Sequence, residues 1–318
     1  MNKLTKIGFS ALAGSLIAVS AHAGSMSVSG SASLTFSNTD DASAAAEGNG
    51  WTMGDSLTFT GSGEMDNGMT VTVKYEYDGD AEGTDSTFDD QSISLDTNGM
   101  GTIVFAGHGG DGALSAIDDV SPNAMEESWD VVAGAATPPT GSSGENMFNY
   151  TSPTISGVTV NVGYLNGTSA ITDHSYTDYA IKVEPEMVEG LTLGYGYGEA
   201  EETTGTQIDY NTMYAKYVYG SVTVGYQMNE GDGPTSATDI ESTQLGVSYA
   251  VTDDMSISYN QSEIDQASTA NDQEASAIAA SYTTGGVTVK GTLNNADNVN
   301  YIANDDISAY EFNISFAF

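Results

Sequence analysis

The chain has no cysteine and no arginine, and its six lysines face 44 acidic residues. Without cysteine there is neither a disulfide nor a thiolate metal site, so stapling cannot hold the fold. Without arginine there is no bidentate phosphate clamp. A formal net charge of −38 also sets the chain against nucleic acid, whose recognition begins with phosphate neutralisation. Catalytic signatures are equally scarce. The histidines are His22, His108 and His174, no Gly-x-Ser-x-Gly elbow occurs, and the expectation is that the protein is not an enzyme. Beyond the N-terminus, no apolar run approaches the roughly 20 residues that a helical membrane span needs.

The N-terminus itself is apolar. "MNKLTKIGFSALAGSLIAVSAHA" combines Lys3 and Lys6, an apolar run from Ile7 to about Val19, and the small-residue site Ala21-His22-Ala23. It reads as a secretory signal peptide over residues 1–23, cleaved before Gly24. The expected mature protein is then residues 24–318, more acidic still once the two leader lysines are gone.

Within that region apolar and polar residues alternate with period two, the pattern of strands with one greasy face. Met69-Val71-Val73-Tyr75-Tyr77, Val158-Val160-Val162-Tyr164 and Val222-Val224-Tyr226-Met228 are examples, and about sixteen such segments run to the terminal "AYEFNISFAF". This regular patterning, rich in Tyr and Phe, argues against the disorder that an acidic composition otherwise suggests. The connectors alternate in length. Short links such as Asp66-Asn67-Gly68, Thr97-Asn98-Gly99 and Thr284-Gly285-Gly286 carry hairpin chemistry. Longer acidic connectors fall between them, near 38–50, 78–87, 109–145, 166–175, 199–206, 229–239, 263–273 and 295–306. Short turns at one end and long loops at the other predict an all-β, antiparallel up-and-down transmembrane barrel of about 16 strands. A soluble sandwich has no reason to alternate its loop lengths.

Three stretches carry a family resemblance. "GEMDNGMTVTVKYEYDG" (63–79) is similar to an Asn-Gly hairpin between second and third strands, "NMFNYTSPTISGVTVNVGY" (146–164) to an aromatic strand followed by Ser-Pro and Gly, and "YEFNISFAF" to a terminal strand ending in an aromatic residue. In this order, behind a signal peptide, they resemble a Gram-negative general porin over essentially the whole mature chain. The resemblance implies a homotrimer of sixteen-stranded barrels in the bacterial outer membrane, among outer-membrane lipid and lipopolysaccharide. Each barrel would hold a water-filled pore narrowed by an inward-folded third loop. It also implies that the barrel-assembly machinery reads the C-terminal strand, here Tyr310, Phe312, Ile314, Phe316 and Phe318.

In this chain the third connector, 109–145, is the longest. Its acids Asp111, Asp118, Asp119, Glu126, Glu127, Asp130 and Glu145 are the candidate constriction residues, and Ser121-Pro122 predicts a short helix over "NAMEESWD". Strand phase places Thr72, Lys74, Glu76, Asp90, His108, Asp178, Lys182, Glu184, Lys290 and Glu311 in the lumen. The chain departs from the family in having no arginine to form a basic wall opposite the loop. Lys74 is the nearest remnant, and Lys74, Lys182, Lys216 and Lys290 all sit in the polar phase. An acidic ring concentrates cations and repels anions, so the expected function is passive diffusion of small hydrophilic solutes and ions with a cation preference.

No cofactor is required. The acidic stretch 78–90 offers Asp78, Asp80, Glu82, Asp85, Asp89 and Asp90 as candidate Ca²⁺ ligands, without EF-hand spacing. Small outward residues at Gly30, Ala32, Gly61, Gly63, Gly101 and Gly107 place the subunit interface on strands one to five, while outward tyrosines such as Tyr195, Tyr217 and Tyr249 suit lipid headgroups. Two other readings stay open at this point: a saccharide- or amino-acid-selective channel, favoured by aromatics in the lumen, and a secreted Ca²⁺-dependent β-protein or adhesin.

Overall fold

A computed structural model describes residues 24–41, 49–78, 88–144, 146–167, 175–201 and 207–318. The leader and the acids Asp80, Glu82, Asp85 and Glu145 lie outside them. Sixteen strands follow one another: β1 (Ser25–Asp41), β2 (Asn49–Glu64), β3 (Thr70–Asp78), β4 (Asp90–Asp96), β5 (Thr102–His108), β6 (Met147–Thr151), β7 (Val158–Leu165) and β8 (Ser175–Val183) in the first half. The second half comprises β9 (Leu191–Glu201), β10 (Gln207–Tyr219), β11 (Val222–Asp232), β12 (Ile240–Thr252), β13 (Met255–Gln266), β14 (Gln273–Thr284), β15 (Val287–Asp297) and β16 (Ile307–Ala317). Each pairs with its sequence neighbours, all antiparallel, and β16 pairs with β1 to close the barrel.

Closure follows from the backbone. Hydrocarbon cannot solvate a bare N–H or C=O, so a membrane sheet tolerates no open edge. The seam runs from Asp41↔Ile307 to Ser31↔Ala317 and ends with a reciprocal pair of 2.9 Å hydrogen bonds between Gly30 and Phe318. Gly30 is needed there for space: a Cβ would lie 2.8 Å from both the Phe318 ring and the Ser56 carbonyl.

Period-two alternation then sorts the side chains. Met26, Val28 and Leu34 on β1, Tyr249 on β12, Leu293 on β15, and Tyr310, Phe312, Ile314 and Phe316 on β16 are exposed on the outer face. Their sequence neighbours point inward. Trp51, Phe36 and Tyr310 stack across β2, β1 and β16, with ring centroids 4.7 and 5.9 Å apart, as an aromatic cluster near the long-loop end of the seam. No helix among the described residues is long and apolar enough to cross a membrane; the strands, most of 9 to 13 residues, match the ~9–11 that a tilted spanning strand needs.

Gly101 departs from the expected outward strand position. It precedes β5 in the left-handed region, with φ of 102°, and Thr97 binds its carbonyl through both backbone N–H (3.0 Å) and hydroxyl (2.5 Å). It belongs to the β4–β5 turn, where the Asn-Gly sequence forces the chain to reverse before the strand begins.

Gly30→Val should weaken the seam by roughly 1–3 kcal/mol through overpacking. Gly291→Ala, on the outer face of β15 where a Cβ meets only the Glu311 carbonyl at 3.7 Å, should be neutral. The check is the temperature at which the unboiled protein loses its compact gel mobility: a drop for the first variant and none for the second.

Candidate functional site

Residues 109–144 leave β5, fold into the barrel and return to β6. Inner-face residues of β8–β16 receive them, and these side chains are among the most buried in the protein. Two apolar patches hold the ends of the excursion. Leu114 and Ile117 pack on Ala180 and Tyr214, while Trp129, Val131 and Val132 pack on Ala275, Ala296, Val299, Ile307 and Ala309. Alanine and glycine on the inner phase of these strands make the room. Between the patches the seat is polar: Gln227 accepts from Val120 N–H (2.9 Å), the Ser258 hydroxyl from Ala124 N–H (2.9 Å), and Asn294 donates to the carbonyls of Glu127 (2.9 Å) and Ser128 (3.0 Å).

This explains why the expected helix over 123–130 does not form. Wall side chains draw the segment out along the barrel, binding Ala124 N–H and the carbonyls of Glu126, Glu127 and Ser128, and what forms are single turns, Asp130 N–H to Glu127 O (3.3 Å) and Val132 N–H to Trp129 O (3.0 Å). A 3₁₀ turn at Leu114–Ala116 is the loop's one helical piece among the described residues.

Of the expected lumenal residues, Asp178 corrects the assignment. It lies on the inner face of β8 but is 0% exposed, sealed beneath the loop, where it accepts from Leu114 N–H (2.8 Å) and the Tyr176 hydroxyl (3.0 Å). It anchors the loop and does not line open channel. Gly112 and Gly163 flank it so closely that a Cβ on either would collide with its carboxylate.

The loop's other acids come together. The carboxylates of Glu126, Glu127 and Asp130 all lie within 4.8 Å of one another, a spacing able to hold a cation. Asn123 donates to Glu127, whose carboxyl also hydrogen-bonds Asp119. Lys290 of β15 and Glu311 of β16 face Glu126 electrostatically from the wall. Burial, reinforced by Asp130, raises Glu126 to about 7; burial and the contact with Asp119 raise Glu127 to about 8. Burial followed by repulsion from Asp119 lifts Asp118 to about 6. Asp111 and Asp119 are exposed in the first limb of the loop.

The inner wall of β1–β4 is left uncovered. Its register rows place Ser29 beside Thr58, Ser31 beside Ser56, Ser33 beside Gly54 and Thr35 beside Thr52, and Thr72 beside Ser62 and Ser94. It is a wall of hydroxyls. Lys74 stands in it but bonds Glu76 (2.7 Å) and Asp90 (3.3 Å), and Lys182 on β8 is paired with Glu184 (3.3 Å). His108, at the end of β5, bonds the Asp89 carbonyl. Asp90, expected as a calcium ligand, is thus already engaged by a lysine, while Asp78 and Asp89 stand on either side of residues 79–87, outside the described residues.

Sequence reading missed the hydroxyl wall and the amide seat, although both have a signal: Ser or Thr at nearly every inner position of β1 and β2, and Gln or Asn at matching heights on β11, β13, β14 and β15.

Comparison with known proteins agrees with this geometry. A family model described as Gram-negative porin matches residues 8–301. No curated protein sequence matches. Among solved structures, OmpF of Salmonella typhi in complex with daunomycin superposes with a TM-score of 0.73 at 14% identity, covering 93% of this chain and 98% of that one. The anion-selective porin from Comamonas acidovorans gives 0.71 at 15%, covering 93% and 100%, and a mutant of the Rh. blastica porin gives 0.69 at 18%, covering 92% and 100%. These identities speak for the fold alone. With the profile spanning nearly the whole length, the chain belongs to the Gram-negative porin family, the channel-forming β-barrels of the outer membrane.

Proposed function

We propose that the protein is a passive diffusion pore for small hydrophilic solutes, that it favours cations, and that it works as a homotrimer. One observation carries the selectivity: loop carboxylates face a wall of uncharged hydroxyls, and Lys74, the lysine in that wall, is held by two acids. A cation passing between them meets attraction on one side and neutral dipoles on the other. An anion finds no compensating positive strip. The inner-face aromatics Tyr176 and Tyr214 are buried beneath the loop and Tyr210 packs half-buried against the same clusters, so that among the described residues they do not form the open aromatic track that a saccharide-selective channel would use. The outward Gly61, with open space around its Cβ position, supports close subunit approach on the β1–β5 side.

Neutralising Glu126, Glu127 and Asp130 together, to Gln, Gln and Asn, should lower cation preference several-fold. Each charge passed at about 4 Å in water contributes about 1 kcal/mol, about fivefold in local cation concentration before salt screening. The reversal potential in a planar bilayer under a KCl gradient reads this directly, at alkaline pH where the native acids are ionised. An unchanged potential would remove these residues from the constriction.

The raised loop acids also give a pH signature. A carboxyl titrating near 6, 7 or 8 is charged above that value and neutral below it. Cation preference should therefore fall as pH is lowered from about 9 to about 5, across neutrality and above the ordinary carboxylate range near 4. In the triple variant the part of the step near pH 7 to 8 should vanish. A native profile that is flat until pH 4 would contradict the assignment.

A further inference from the structure

At the centre of its seat the loop rests on a group of polar side chains that the protein itself does not satisfy. The inner faces of β11, β12 and β13 form a grid here, with rows Gly225–Gly246–Asn260, Gln227–Gln244–Ser262 and Asn229–Ser242–Ile264 set by the strand register. Gln244 occupies the middle. It is 2% exposed, and both its amide oxygen and its amide nitrogen lack a protein partner. Around it, Asn229 Nδ2, Ser242 Oγ and Asn260 Oδ1 are also buried without partners. From above, the unpartnered Ser121 hydroxyl stands over Gly246, where a Cβ would approach it to 2.6 Å.

The loop closes round this patch. Its outgoing limb is fastened along one margin through Gln227, Ser258 and Asn260. Its returning limb is fastened along the other, where Ala136 and Gln273 exchange two hydrogen bonds (2.7 and 2.9 Å) and Pro139 covers Gly231. Donors and acceptors are both present among the enclosed groups and none is charged. Ligands that match are therefore neutral, small and able to donate as well as accept.

We propose that this patch is a binding site for ordered water, a small cluster centred on Gln244 that bridges the wall to the outgoing limb of the constriction loop. Buried polar groups in native proteins are satisfied by protein or by internal water, and a buried water commonly makes about three hydrogen bonds. The grid offers partners on three strands and on the loop. The loop is then seated directly at its two apolar ends and through water in the middle, beneath the segment that carries Glu126 and Glu127. This seat does not depend on the sign of the pore's selectivity.

The test is a high-resolution structure of the detergent-purified, full native protein. Solvent peaks within hydrogen-bonding reach of the Gln244 amide and of at least one of Ser121, Asn229, Ser242 and Asn260 are expected. A Gln244 amide paired directly with protein groups, or a patch without solvent density, would overturn the site. Gln244→Leu, close in size, should abolish those peaks and raise open-channel current noise in planar bilayers, because the middle of the loop loses its support. Noise equal to the native channel's would overturn the bearing of the water on the loop. Should the variant not assemble, the native map still decides.

Discussion

Every feature of this barrel depends on the requirement that no backbone hydrogen bond be left open toward hydrocarbon. It makes β16 return to β1, and it gives Phe318 a place, its N–H and C=O exchanged with those of Gly30 at the foot of the seam. Once the ring is closed, the alternation of each strand has a fixed meaning: one phase meets lipid and the other meets the lumen. Sixteen strands leave more lumen than side chains can fill, and the space is divided between a folded loop and water.

The loop occupies that space by treating half of the barrel wall as a protein core. Leu114, Ile117, Trp129 and Val132 find alanines and glycines opposite them, and the intervening backbone finds glutamine, asparagine and serine. The consequence is electrostatic. Covering β8–β16 leaves the hydroxyl face of β1–β4 as the open wall and pushes the loop's acids into partial burial, and that burial, reinforced by their mutual proximity, raises their protonation range. The same fold is shared with a porin described as anion-selective, so the cation preference proposed for this chain rests on its own side chains and not on the barrel.

Much of this was legible beforehand. The strand count, the alternating loop lengths and the outward set Tyr310, Phe312, Ile314 and Phe316 follow from period-two patterning, because in a membrane sheet the pattern and the solvent correspond one to one. The constriction loop stood out by length. The helix expected after Ser121-Pro122 does not form because capping signals are local, whereas the segment is held at several points by distant wall residues, Ser258 at Ala124 N–H, Asn260 at the Glu126 carbonyl and Asn294 at the Glu127 carbonyl. Asp178 was misplaced for a related reason: strand phase tells inward from outward but not covered from open.

The sequence by itself determined the class of solvent on each face, the closed antiparallel ring and the absence of a basic wall, since these depend on residue type and local period. Only the tertiary structure decided which inward residues the pore sees. That choice was made by where a thirty-odd-residue loop settles, and its seat is built from contacts more than 130 positions apart, such as Ser128 with Ser262 and Ala136 with Gln273, which no local pattern encodes.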